Sequence, residues 1–275
     1  MAANIELIQK LRAQTGAGIV DCKKALEDHQ GDFDSALDEL RKKGLAKIAK
    51  RAERETSQGF IQIAISDDGH TAWMLEANAE TDFVVRNEKF QTFSKQVFEL
   101  AREKKPLDRE ALLNTSFDGG TVKSALDELS SVIGEKLDLK NYALVSGSGT
   151  LAVYSHLGGK IGAIVALNQP GLEAAAYDVA MQVAAQNPSY LKPEDIPAEV
   201  IAKEKDIYAE QLKNEGKPEA MLEKILGGKM QKYYQEVCLL NQAFIKDDKL
   251  TIEQYLRQTA GENVSVEKFV RFSLA

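Results

Sequence analysis

From Ile5 to Gly44 the apolar positions fall at helical spacing in three short bursts: Ile5, Ile8 and Leu11, then Val20, Ala25 and Leu26, then Phe33, Leu37 and Leu40. The breaks between them have matching chemistry. Thr15-Gly16-Ala17-Gly18 ends the first helix on glycines and starts the second. Gly31-Asp32 ends the second and offers Asp32 as an N-cap for the third, which Gly44 closes in the C′ position. Three helices in so short a span predict a small bundle with a modest core, near the lower size limit for independent folding.

Beyond the bundle the pattern turns strand-like, and it occurs twice. Gly59 to Asn78 matches Gly149 to Asn168 without a gap at an offset of 90, each reading as a strand, a Gly-containing turn and a second apolar strand. Trp73-Met74-Leu75 and Ala163-Ile164-Val165 fall at equivalent strand positions. A further match, Gly134 to Ser146 against Gly261 to Ser273, has an offset of 127, so the second copy carries 37 residues more than the first. Each copy reads as a hairpin, a helical stretch and a returning strand, with helices covering one face of a small antiparallel sheet.

The excess lies at residues 198–241. Val200, Ile201, Tyr208 and Leu212 mark one helical arm, Gly216-Lys217-Pro218 a turn, and Leu222, Ile225, Tyr233 and Val237 a return arm interrupted by Gly227-Gly228. That predicts an antiparallel helical hairpin, either a structural arm or a partner contact. Aligning Phe90, Phe93, Val97 and Ala101 with Ala174, Tyr177, Met181 and Ala185 gives an offset of 84, which leaves the first copy six extra residues after Asn78. They fall in the loop Glu80-Thr81-Asp82-Phe83-Val84-Val85. Two readings stand for it: Asp82 caps the next helix while Phe83 or Val84 staples onto the core, or an apolar residue is presented to a partner. The predicted units are residues 1–54, 55–146 and 147–275.

Composition narrows the chemistry. The 275 residues are 44% hydrophobic and 28% charged, which excludes a disordered chain, and the net charge of −7 argues against a dedicated nucleic-acid binder. Charge is sorted along the bundle. Residues 27–39 hold six acids and no base, whereas residues 41–54 hold seven bases against Glu53. Those bases suit either an RNA or ribosome contact or a solvated helix and linker, and no aromatic interleaves them for stacking. Cys22 and Cys238 form no CxxC pair, so no disulfide framework or zinc site is expected, and a reducing cytoplasm is the simplest location. Cys22 reads as a small buried hydrophobe. No basic-then-apolar leader opens the chain and no apolar run is long enough to span a bilayer, so no membrane role is expected. Phosphate-loop, dinucleotide, zinc-protease and nucleophile-elbow motifs are missing. The pattern points to a protein that grips another protein rather than to an enzyme. An open sheet edge in either copy could also pair with a second copy of the chain.

Leu11-Arg12-x-x-Thr15-Gly16-Ala17-Gly18-x-x-Asp21-Cys22-Lys23-Lys24-Ala25-Leu26, followed by Glu80-Thr81-Asp82-Phe83-Val84, closely resembles the elongation factor Ts family, the guanine-nucleotide exchange factors of the translational GTPase elongation factor Tu. The likeness covers nearly the whole chain, including the duplicated core and the inserted hairpin. It implies an α+β fold: a three-helix module like a ubiquitin-associated domain, then a duplicated antiparallel-sheet/helix core. It also implies that Arg12, Ile19, Val20 and Lys23 contact the GTPase's nucleotide-binding domain. Thr81, Asp82, Phe83 and Val84 would intrude beside its Mg²⁺ and phosphate site, with Phe83 as a wedge, and His156 in the second copy would contact another GTPase domain. No cofactor of its own is implied, since GDP, GTP and Mg²⁺ enter only through the partner.

Overall fold

The computed structural model describes residues 4–215 and 218–274. The chain opens with α1 (Ile5–Thr15), α2 (Ile19–Asp28) and α3 (Phe33–Arg51). Asn4 accepts the Glu6 N–H to cap α1, and Asp32 accepts the Ser35 N–H at the start of α3. Leu11, Cys22, Ala25, Leu26, Ala36 and Leu40 form the small core of this module. Two of the apolar residues in its helical stripes do not enter that core: Ile5 is 71% exposed and Val20 is 79% exposed.

Gly44 does not end the third helix. α3 runs through it to Arg51 and lies along a helix of the first core copy, where a Cβ at Gly44 would overlap the Ser131 hydroxyl. Gly16 makes a similar approach at the end of α1, where a Cβ would overlap the Val132 backbone. The bundle is therefore seated on the core through two glycines. Of the basic run, Arg41 pairs with Glu128 at 3.1 Å, Lys43 pairs with Glu39, and Arg51 donates to the Ser130 carbonyl. The stretch is helical and docked through Arg51, and residues 52–57 connect it to the first strand of the core. The Lys47 and Lys50 side chains lie outside the described residues, as does the Gly216-Lys217 part of the hairpin turn.

The first copy consists of β1 (Gln58–Ile65), β2 (Thr71–Ala79), the single turn α4 (Asp82–Val85), α5 (Glu88–Lys104), α6 (Arg109–Asn114), the short hairpin β3 (Ser116–Phe117) and β4 (Gly120–Thr121), α7 (Val122–Ile133) and β5 (Leu137–Ser146). The second consists of β6 (Leu151–His156), β7 (Ile161–Leu167), α8 (Glu173–Gln186), α9 (Ala198–Asn214), α10 (Glu219–Val237), the short pair β8 (Ala243–Phe244) and β9 (Asp247–Thr251), α11 (Ile252–Ala260) and β10 (Val266–Ser273). Strand order is β1-β2-β5 in one sheet and β6-β7-β10 in the other, antiparallel throughout. The duplication extends to individual atoms. A Cβ at Gly59 would overlap the Ala77 carbonyl, and one at Gly149 would overlap the carbonyl of Leu167, the residue equivalent to Ala77.

The copies pack sheet against sheet. Ile61, Met74, Val145, Leu151, Ile164 and Ala166 fill the space between them, while α5 and α7 cover one outer face and α8 and α11 the other. Every residue of β2 is buried, as expected of a central strand covered on both faces.

The helix alignment shifts. Phe90, Phe93, Val97 and Ala101 are buried in α5, but Ala174, Tyr177 and Ala185, their partners at an offset of 84, are exposed. An offset of 82 places Phe93, Ser94, Val97, Phe98 and Ala101 on buried Ala175, Ala176, Val179, Ala180 and Val183. It also superposes the left-handed C-caps Lys105 (φ 51°) and Asn187 (φ 47°). The first copy thus holds eight extra residues, two more than the apolar spacing suggests. The second departure is in α10, which is continuous across Gly227-Gly228 rather than interrupted there.

Candidate functional site

The extra residues of the first copy form a loop with a defined geometry. β2 ends at Ala79, and the chain turns outward into α4 with Thr81 as its extended N-cap residue. The two apolar side chains at its centre are adjacent in sequence and about 100° apart around the helix axis. Val84 is 8% exposed and joins the core of the first copy, and Val85 packs against the same core. Phe83 points the other way and is 80% exposed. An exposed phenyl on a turn anchored by its neighbour keeps its position without packing. Of the two readings of this loop, the staple belongs to Val84 and the presented residue is Phe83. Asp82 does not cap α5; Asn87 does, accepting the Lys89 N–H. The Asp82 carboxylate instead pairs with Arg86 at 2.8 Å along the turn.

Beneath the loop lies a polar base that the sequence pattern does not reveal. The Glu135 carboxylate accepts from the Thr81 N–H at 3.1 Å and from the Thr81 hydroxyl at 2.8 Å. In return, the Glu80 carboxylate accepts from the Lys136 N–H at 2.6 Å and from the Arg54 guanidinium at 3.1 Å. Burial pushes the Glu80 carboxyl up, but the Lys136 N–H and the Arg54 guanidinium outweigh it and hold the group below the ordinary carboxylate range. The Lys136 ammonium closes the set by donating to the carbonyls of Ala52, at 2.6 Å, and Arg54, at 2.8 Å, just past the end of α3. These residues come from three separated stretches of the chain, at Arg54, at Glu80-Thr81 and at Glu135-Lys136, so no local spacing could have drawn them together. Thr81 is turned inward and works as part of this base.

The other sequence-derived positions lie on two further surfaces. Arg12, on α1, and Ile19, Val20 and Lys23, on the first turns of α2, are all exposed, with Ile19 56% exposed and Lys23 3.8 Å from Glu27. Ile5 lies seven residues before Arg12, on the same helical face two turns earlier, and extends this apolar surface. His156 ends β6 and is exposed; its Nδ1 lies 3.0 Å from the Tyr154 hydroxyl, and the two rings stack. Tyr177 of α8 meets Tyr154 edge-on at 5.6 Å, and Leu157, at φ 51°, is 68% exposed on the turn that follows. Sequence reasoning named only His156 here, because Tyr177 reaches the patch from another element. Both cysteine thiols are buried, and burial pushes Cys22 up and Cys238 up to about 11, so neither is poised as a nucleophile.

Exposed side chains held on anchored turns and helix ends are the equipment of a protein-docking molecule. The family description "Elongation factor TS" matches residues 80–275. Relatives named elongation factor Ts include those of Prosthecochloris aestuarii, 44% identical over 97% of this chain and 96% of the relative, and Clostridioides difficile, 41% identical over 99% and 93%. That of Trichlorobacter lovleyi is 39% identical over 100% of this chain and 93% of its own length. The chain belongs to the elongation factor Ts family, the nucleotide exchange factors of translation elongation. Among the described residues, no helix is long and apolar enough to cross a membrane.

Proposed function

We propose that this chain binds elongation factor Tu in its GDP-bound state and releases the nucleotide by inserting Phe83 beside the GTPase's Mg²⁺ and phosphate site, so that GTP can load. The observation that carries this reading is the exposed phenyl on a core-anchored turn, within a loop absent from the second copy of the scaffold. The three predicted units divide the work. Residues 1–54 dock through Arg12, Ile19, Val20 and Lys23; residues 55–146 present the loop, with Asp82 and Phe83 facing the partner and Thr81 and Val84 holding it; residues 147–275 add a contact around His156. The chain performs no bond-making chemistry, and it acts in the cytoplasm.

State dependence is the physical requirement. A factor that binds the loaded and empty GTPase equally well shifts nothing, whereas one that prefers the empty state weakens nucleotide binding by the same factor by which the nucleotide weakens its own. The wedge supplies that preference and the other surfaces supply affinity. A basic RNA-contacting surface at residues 41–54 is disfavoured by the internal partners of Arg41, Lys43, Arg51 and Arg54. Truncating an aromatic anchor at an interface centre costs about 2–4 kcal/mol. Phe83→Ala is therefore expected to slow release of a fluorescent GDP analogue from elongation factor Tu, followed by stopped flow, more than it weakens binding to the nucleotide-free GTPase. An unchanged release rate at saturating factor would overturn the wedge.

A further inference from the structure

We propose that Glu135, Glu80, Lys136 and Arg54 are positioning residues for the exchange loop, tying it to the end of α3 so that the seat of the N-terminal module fixes where Phe83 points. The proposal rests on the reading of Phe83 given above.

The argument begins at the ends of two paired strands. The β2–β5 ladder runs out at Ala79–Leu137, and there β2 must leave the sheet to enter α4. Glu80 and Glu135 extend the ladder with side chains, each carboxylate taking a backbone N–H from the opposite strand end. Bonds from charged acceptors to N–H donors are the strong class of hydrogen bond, and two in opposite directions fix both the distance and the rotation of the departing chain. The Thr81 hydroxyl adds a third bond to Glu135, leaving the N-cap residue of α4 little freedom. The linkage then reaches the module, because Arg54 binds Glu80 while the Lys136 ammonium binds the carbonyls of Ala52 and Arg54.

The second copy is an internal control. Just past its matching strand stand Pro170 and Gly171, with no carboxylate or hydroxyl, and its equivalent of Glu135 is Glu262, an 83% exposed side chain 3.8 Å from Arg257. There the strand ends are joined through Asn168, whose side chain donates to the Asn263 carbonyl and accepts the Ser265 N–H. The scaffold therefore closes without a carboxylate clamp, and the clamp occurs in the copy that carries the loop.

A double-mutant cycle separates positioning from simple support. Glu135→Ala, in the full chain, is expected to lower the GDP-release rate at saturating factor about tenfold, with half-saturation moving less than about threefold. In the Phe83→Ala background the same substitution is expected to change the rate less than about twofold, because there is no phenyl left to position. Lys136→Met, which keeps the backbone N–H for Glu80 and the Arg54–Glu80 pair but removes the ammonium's bonds to the Ala52 and Arg54 carbonyls, should give a smaller loss with the same non-additivity. An undiminished rate in Glu135→Ala, or its full loss on top of Phe83→Ala, would overturn the clamp. If Phe83→Ala alone leaves release unchanged, the wedge reading fails first. Thr81→Val, which removes one bond of the three, answers the same question if Glu135→Ala does not fold.

Discussion

Gly16 and Gly44 are two glycines with different constraints, and the difference has a measurable consequence. Gly16 sits at φ 66° with the Val132 backbone where its Cβ would go, so a side chain there meets backbone strain and an immovable neighbour together. Gly44 lies within α3, and the atom that a Cβ would overlap is the Ser131 hydroxyl oxygen, at the end of a side chain. Overpacking of this kind costs about 1–3 kcal/mol. Gly44→Ala is expected to lower the thermal midpoint, and adding Ser131→Ala should recover much of the loss. Gly16→Ala should cost more and gain little from Ser131→Ala. Equal recovery in both would refute the assignment. The sequence could not supply this distinction: a glycine after an amphipathic stretch reads as a terminator, and only the crossing of α3 with α7 explains why the helix continues. The loop has the same limit at its smallest scale. Phe83 and Val84 are equivalent in hydropathy pattern, and which of them faces solvent is decided by the direction in which β2 leaves the sheet.

Among the elements, those with strong periodicity and marked ends were legible: the three opening helices, both hairpins, the two returning strands and the helical arm. The apolar spacing sets α8 two residues out of register because the helix is rich in alanine, with Ala174, Ala175 and Ala176 in sequence, so many registers give an acceptable apolar face. Its true face is fixed by the sheet beneath it. α10 departs from its sequence pattern for the opposite reason. Gly227-Gly228 looks like a break, yet the helix passes through both residues because α9 packs along it, Leu212 and Met230 being buried in the arm. A Cβ at either glycine would meet nothing within 4 Å. Both are therefore a cost without a packing return, about 1 kcal/mol each relative to alanine. Gly227→Ala and Gly228→Ala should each slow amide hydrogen exchange along α10 about fivefold, with no change in the sheet amides. Equal slowing in α10 and in the sheet amides would mean that the arm opens only with the whole domain, and unchanged exchange in α10 would refute the cost assigned to the glycines.

At the scale of the whole molecule, the sequence reveals that the core is a repeat but not how the repeats meet. The alternating strands predict one face covered by helices and leave the other unassigned; that other face is the partner copy. The contact between copies is close. The Ile61 N–H donates to the Gly159 carbonyl at 2.7 Å, and a Cβ at Gly162 would press on the Met74 sulfur. Because Ile164 of the second copy and Met74 of the first share one apolar cluster, neither sheet keeps its inner face dry alone. The two copies should therefore unfold as one unit. Ile164→Ala, which opens a cavity at this contact, is expected to cost about 2–5 kcal/mol. Trp73, the only tryptophan, lies on β2 in the first copy and reports on that copy, although the substitution is in the second. In urea titrations its emission midpoint should fall together with the far-ultraviolet circular dichroism midpoint. If the tryptophan midpoint holds while the dichroism midpoint falls, the copies unfold separately and the shared core does not couple them.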